Sequence, residues 1–113
     1  RLTEVEKGTA EEHDLVLDYA EALSYSDPAK AQKTFLDFAE KNAELVTPKD
    51  FKYVVSSLRT QDAFVQAIDV MHAGKQRWPE DAEMVELLEL IKADVLKAAD
   101  PALAAKMKGL GYM

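Results

Sequence analysis

The chain has 113 residues, with 14 Lys and Arg against 21 Asp and Glu, a net charge of −7 and no cysteine. That length suits one domain with a core of its own, and the lack of cysteine excludes a disulfide framework, a thiol nucleophile and a cysteine-ligated zinc. The acidic balance disfavours nucleic acid and anionic membrane as partners, and no apolar run approaches the ~20 residues of a membrane span.

The start, from Arg1 to Ala10, is polar and carries no signal-peptide pattern. Opening on arginine rather than methionine points to a domain cut from a longer protein, with cytoplasm and periplasm both open as compartments. Thr3 with Glu6 fits a capping box that Gly8 soon interrupts, and Thr9 with Glu12 forms a second one. Behind it Leu15, Val16, Tyr19, Ala20 and Leu23 make an apolar stripe. Ser26-Asp27-Pro28 ends that helix and caps the next, whose stripe is Ala31, Phe35, Leu36, Phe38 and Ala39. Thr47-Pro48 starts a third helix with Phe51, Val54, Val55 and Leu58 on one face. Ala67, Met71 and Gly74 mark a fourth, closed by Pro79. Met84, Leu87, Leu88 and Ile91 open a fifth that runs on through Val95 and Leu96. Asp100-Pro101 caps a sixth carrying Leu103, Met107 and Leu110, stopped by Gly109 and Gly111. The expected helices are 10–25, 28–45, 48–59, 62–77, 80–98 and 101–109. Ala20, Leu23, Ala31, Phe35, Val55, Leu58, Ala67, Met71 and Leu88 are expected in the core. Nothing reads as a strand.

Phe51-x-x-Val54-Val55-x-x-Leu58 followed by Ala67-x-x-x-Met71-x-x-Gly74-x-x-x-x-Pro79 resembles one tetratricopeptide repeat in spacing. Val16-x-x-Tyr19-Ala20-x-x-Leu23 with Ala31-x-x-x-Phe35-x-x-Phe38 fits the same template, without the closing proline. Ala31 to Ala67 is a step of 36 residues, near the family period of ~34. Met84-x-x-Leu87-Leu88-x-x-Ile91 begins a divergent third unit. The resemblance implies one all-α domain over residues 1–113, a right-handed superhelix of antiparallel helix pairs with repeats at roughly 10–46, 47–79 and 80–110. It also implies a concave groove lined by the first helix of each pair. The groove positions are Leu17 and Glu21, then Lys49, Lys52, Ser56 and Arg59, then Val85, Glu89 and Lys92. The subclass that grips C-terminal carboxylates uses a lysine and an asparagine where this chain has Leu17 and Glu21, so that clamp is unsupported.

Side chains that could carry chemistry have plainer readings. His13 and His72 lie in no zinc-binding pattern; His13 is expected solvated and His72 partly packed. The carboxylates Glu11, Glu12, Asp14, Glu80, Asp81, Glu83, Glu86 and Glu89 fall in first turns or on polar helix faces. No serine sits in a nucleophile elbow, and Gly109-x-Gly111 lacks the strand of a phosphate loop. Trp78 is expected to pack between repeats. No catalytic residue, cofactor or metal is expected. The leading reading is a non-catalytic interaction or scaffold module that binds a protein segment, or a neighbouring domain of its parent chain. Lys49, Lys52 and Arg59 share a helix face, so the expected ligand is an acidic peptide with a hydrophobic residue, held weakly and sensitive to salt. The alternatives are an RNA-binding helical repeat of the pentatricopeptide kind and a regulatory segment of a larger enzyme.

Overall fold

A computed structural model describes residues 10–113. The described residues form six α-helices, α1 Ala10–Ser26, α2 Pro28–Lys41, α3 Pro48–Thr60, α4 Phe64–Arg77, α5 Ala82–Ala98 and α6 Pro101–Gly109, and caps or prolines place the starts of α2, α3, α5 and α6. Among the described residues there is no strand. Asp27, Asp81 and Asp100 each accept a backbone N–H from the first turn of the helix that follows, which satisfies donors that have no partner inside the helix. Thr47 and Asp50 form a reciprocal capping box in front of α3. The capping pairs expected at Thr3–Glu6 and at Thr9 lie outside the described residues.

Three boundaries differ by more than one residue from the spacing-based expectation. The helix expected to reach residue 45 ends at Lys41, because Asn42 leaves helical geometry with φ of −131° and ψ of 55°, while its side-chain amide donates to the Phe38 carbonyl. A short 3-10 turn, Ala43–Leu45, follows and delivers Val46 to the core. The fourth helix starts at Phe64 rather than 62, since Asp62 adopts a left-handed conformation with φ of 58° that no helix continues through. The fifth starts at Ala82 rather than 80, behind the Asp81 cap.

Helix α1 packs on α2, α3 on α4, α4 on α5 and α5 on α6, while α2 meets α3 through the Phe35 and Phe51 rings. In addition α1 lies against α3, α3 against α5, α2 against α4 and α4 against α6. The helices therefore stand in two rows, α1–α3–α5 and α2–α4–α6, and the apolar stripes meet between them. Phe35, Phe51, Leu58, Ile68, Met71, Met84, Leu87, Ile91 and Met107 are fully buried. Phe51 is central. Its ring meets Phe35 edge-on at 4.9 Å and Trp78 edge-on at 5.3 Å between centroids, and the Arg77 guanidinium lies over both Phe51 and Trp78.

Two expected core residues are half-buried instead. On α1 it is Val16, Ala20 and Ser24 that face inward, one turn-step away from Leu23, and Ser24 satisfies its hydroxyl on the Glu21 carbonyl. On α5 the inward line is Met84, Leu87, Ile91 and Val95, which leaves Leu88 at the flank. The remaining seven are buried.

Close helix approach explains the small residues of α4. A Cβ on Gly74 would lie 2.6 Å from the Met84 sulfur and 3.1 Å from the Phe51 ring. Ala67 is completely buried on the same helix. Ala67→Leu should overpack the core around it and cost roughly 1–3 kcal/mol. A urea titration reads it directly, and an unshifted midpoint would contradict the tight α4 packing.

Polar contacts tie neighbouring pairs at nearly one spacing. Gln32 donates to Asp69 at 3.3 Å, and Lys106 meets the other Asp69 oxygen at 2.7 Å, so one carboxylate links α2, α4 and α6. Arg77 donates to the Ala43 carbonyl, 34 residues back. His72 shares a 2.7 Å hydrogen bond with the Tyr112 hydroxyl, which holds the chain end on α4.

Candidate docking surface

The α1–α3–α5 row presents the residues that the sequence assigns to a groove, and most of them are engaged within the protein. Lys52 sits between Glu83 and Glu86 of α5, with 3.0 Å contacts to each. Arg59 forks onto Asp94 of α5, its Nε donating to one carboxylate oxygen and its Nη2 to the other at 3.1 Å. These hydrogen bonds raise the pKa of both basic groups, Lys52 through Glu86 and then Glu83, Arg59 through Asp94. Lys92 pairs with Glu89 along its own helix at 3.4 Å. Glu21 accepts the Tyr53 hydroxyl at 2.5 Å. Leu17 packs against the core, Ser56 is half-buried, and Lys49 and Val85 are exposed. Of the three bases placed on one face of α3, Lys49 alone points into solvent without a described partner. The nine residues do not form one continuous lining.

Two clefts flank the C-terminal half of α3. The first, about 170 Å³, lies between α1 and α3, with Glu21, Tyr25, Tyr53 and Ser57 in its wall. The second, about 690 Å³, lies between α3 and the α5–α6 corner, and holds the Arg59–Asp94 pair, Asp62, Lys97 and Asp100. Ser56 and Thr60 line both, so the clefts adjoin across α3. The tetratricopeptide resemblance placed Glu21, Ser56 and Arg59 in this region and left out Tyr25, Tyr53, Ser57 and Thr60. Tyr53 and Thr60 are the neighbours of Lys52 and Arg59 on α3, and the helical period that marked one side of the Phe51 stripe marks them equally.

Charge divides between the rows. On α1 there are five acids and no base; α3 has three bases and one acid; α5 has four acids and two bases, a net of −5 for the row. The same count over α2, α4 and α6 gives seven bases against three acids, a net of +4. The acidic field is concentrated where the clefts lie. Apolar exposure falls there too: among the described residues five of the seven exposed large apolar side chains, Tyr19, Tyr25, Tyr53, Val85 and Leu96, belong to these three helices.

His13 is not solvated. Its Nδ1 meets Asp14 and its Nε2 meets Asp50 of α3, both at 2.9 Å, with 19% of the side chain exposed. Glu12, read as a polar-face carboxylate, is buried. Burial acts to lower the His13 pKa, but the hydrogen bonds and charges of Asp50 and Asp14 together raise it above 6.5. A raised folded-state value means that the protonated form stabilises the fold. That contribution is complete below 6.5 and fades as pH climbs through the folded value. Denaturant midpoints should therefore fall from about pH 6 to about pH 8, and His13→Gln should flatten that slope. A slope unchanged in the variant would assign it to other groups.

Among the described residues no three His, Asp or Glu side chains are placed to hold a metal ion, and no helix is long and apolar enough to cross a membrane. No family model matches this chain, and neither the curated proteins nor the solved structures contain a match.

Proposed function

We propose that this chain is a non-catalytic helical-repeat module that docks an extended peptide segment, from a partner or from another part of its parent chain, across the α1–α3–α5 row. The spacing resemblance to tetratricopeptide repeats, with its right-handed superhelix, supports this reading. The observation that carries it is the pair of adjoining clefts over α3, in the row that also holds most of the exposed apolar side chains. Exposed aromatic side chains beside a cleft favour recognition of a peptide. The ion pairs of Lys52 and Arg59 with α5 remove most of the support for an acidic ligand. The negative row also disfavours RNA there, since phosphate contacts need an excess of Lys and Arg.

A random peptide library selected on the immobilised protein tests this. Enriched peptides should shift backbone resonances of α1, α3 and α5, and Tyr53→Ala should weaken them while leaving helicity intact. No enrichment, or shifts confined to α2, α4 and α6, would overturn the docking reading.

A further inference from the structure

The smaller cleft has a chemistry of its own. It is lined by six hydroxyl-bearing side chains and one carboxylate. Four of those hydroxyls already donate their hydrogen to a partner within the protein. Ser24 donates to the Glu21 carbonyl, Ser57 to the Tyr53 carbonyl, Thr60 to the Ser56 carbonyl and Tyr53 to the Glu21 carboxylate. What Tyr53, Ser57 and Thr60 leave for a ligand is lone pairs, Ser24 itself being 1% exposed, and Glu21 adds charged acceptor oxygens. Asp18 is near enough to act on Tyr53, whose pKa is pushed up to about 12 by the Glu21 hydrogen bond first, then by burial and by the charges of Glu21 and Asp18. The phenol thus stays a donor to Glu21, and its ring stays oriented. Tyr25 is 67% exposed and Tyr53 39% exposed, so both offer ring surface. No base lines the cleft, because Lys52 and Arg59 on the same helix are held by Glu83, Glu86 and Asp94 on the other side.

We propose that this α1–α3 cleft is a subsite for one arginine side chain of the docked peptide. A guanidinium carries five donors and no acceptor, which matches a wall made mainly of acceptors. It is planar, so it stacks on a phenol ring while it forks onto a carboxylate. A lysine ammonium meets the charge but not the stacking geometry. The negative field of α1 adds attraction toward the same cationic residue. This subsite rests on the peptide-docking reading for its biological setting, though its chemistry is testable alone.

The probe is acetyl-Gly-Arg-Gly-amide titrated into isotope-labelled protein, with the citrulline peptide as a neutral isostere and the lysine peptide as a charge control. Arginine should give saturable shifts at Tyr25, Tyr53 and Ser57. Citrulline should bind roughly tenfold more weakly or worse, and lysine measurably more weakly. Glu21→Gln and Tyr25→Ala should each weaken arginine several-fold while the far-ultraviolet circular dichroism stays unchanged. Equal binding of arginine and citrulline, shifts outside the cleft, or no saturation would overturn the subsite. So would equal binding of lysine, which would reduce the effect to charge attraction alone. If library-selected peptides map to the α1–α3–α5 row without depending on arginine, the subsite fails and the docking reading stands. If the arginine peptide saturates the cleft while selected peptides map to α2–α4–α6, the docking reading fails and the subsite stands.

Discussion

Phe51→Ala should destabilise the fold by about 3–5 kcal/mol. Phe51 is 1% exposed, between Phe35 of α2 and the Trp78 ring that closes α4. Truncation removes a large apolar surface and leaves a cavity that three helices have to share. It also removes two edge-on ring contacts, each worth ~0.5–1.5 kcal/mol beyond area. The Arg77 guanidinium loses one of the two rings beneath it. A domain of this size is stable by ~5–15 kcal/mol, so the loss is a large share of the total. Urea unfolding at constant slope measures it, and a loss below about 1 kcal/mol would mean that the ring cluster is not the junction of the helix pairs. Phe51→Leu keeps most of the volume and should recover more than half of the loss.

The same residue shows what was legible in the sequence. Phe51, Val54, Val55 and Leu58 at helical spacing behind Thr47-Pro48 identify a capped helix with one buried face, and all four are buried. The step from Ala31 to Ala67 marks two residues that are both completely buried. Ends were less legible, because they depend on single backbone conformations such as that of Asp62, which periodicity does not encode. Leu23 and Leu88 show the limit of a stripe: an apolar residue within one step of the inward line satisfies the pattern without reaching the core.

The surface was legible in composition and illegible in pairing. A helix seen alone assigns Lys52 and Arg59 to solvent, because their partners lie on a different helix. The information was nevertheless present as a common separation of 34 to 37 residues. Arg59 and Asp94 are 35 residues apart, Lys52 and Glu86 are 34 apart, and His13 and Asp50 are 37 apart. Once a repeat of about this length is suspected, complementary groups one repeat apart are the ones to test for contact, since equivalent helices of successive units pack side by side. The same rule reaches Gln32 with Asp69, also 37 apart.

Arg59→Glu should therefore act on stability before it acts on binding. The Arg59 and Asp94 side chains are 25% and 19% exposed, and two hydrogen bonds hold them in a fork. Removing one partner of a fully buried pair costs ~3–5 kcal/mol, because the other charge is left without compensation. Partial exposure reduces that figure, since water screens what remains. Charge reversal then adds repulsion across the α3–α5 contact. The expected loss is roughly 2–3 kcal/mol, a fall in thermal midpoint on the order of 10 °C for a domain of this size. A solvated groove arginine would behave differently, with a changed ligand affinity and an unmoved midpoint. The double variant Arg59→Glu with Asp94→Arg separates the two, because it restores the pair with its polarity exchanged. Recovery of at least half of the lost stability identifies the α3–α5 ion pair as the cause. A midpoint unchanged in Arg59→Glu would return Arg59 to solvent and reopen the case for an acidic ligand on this face.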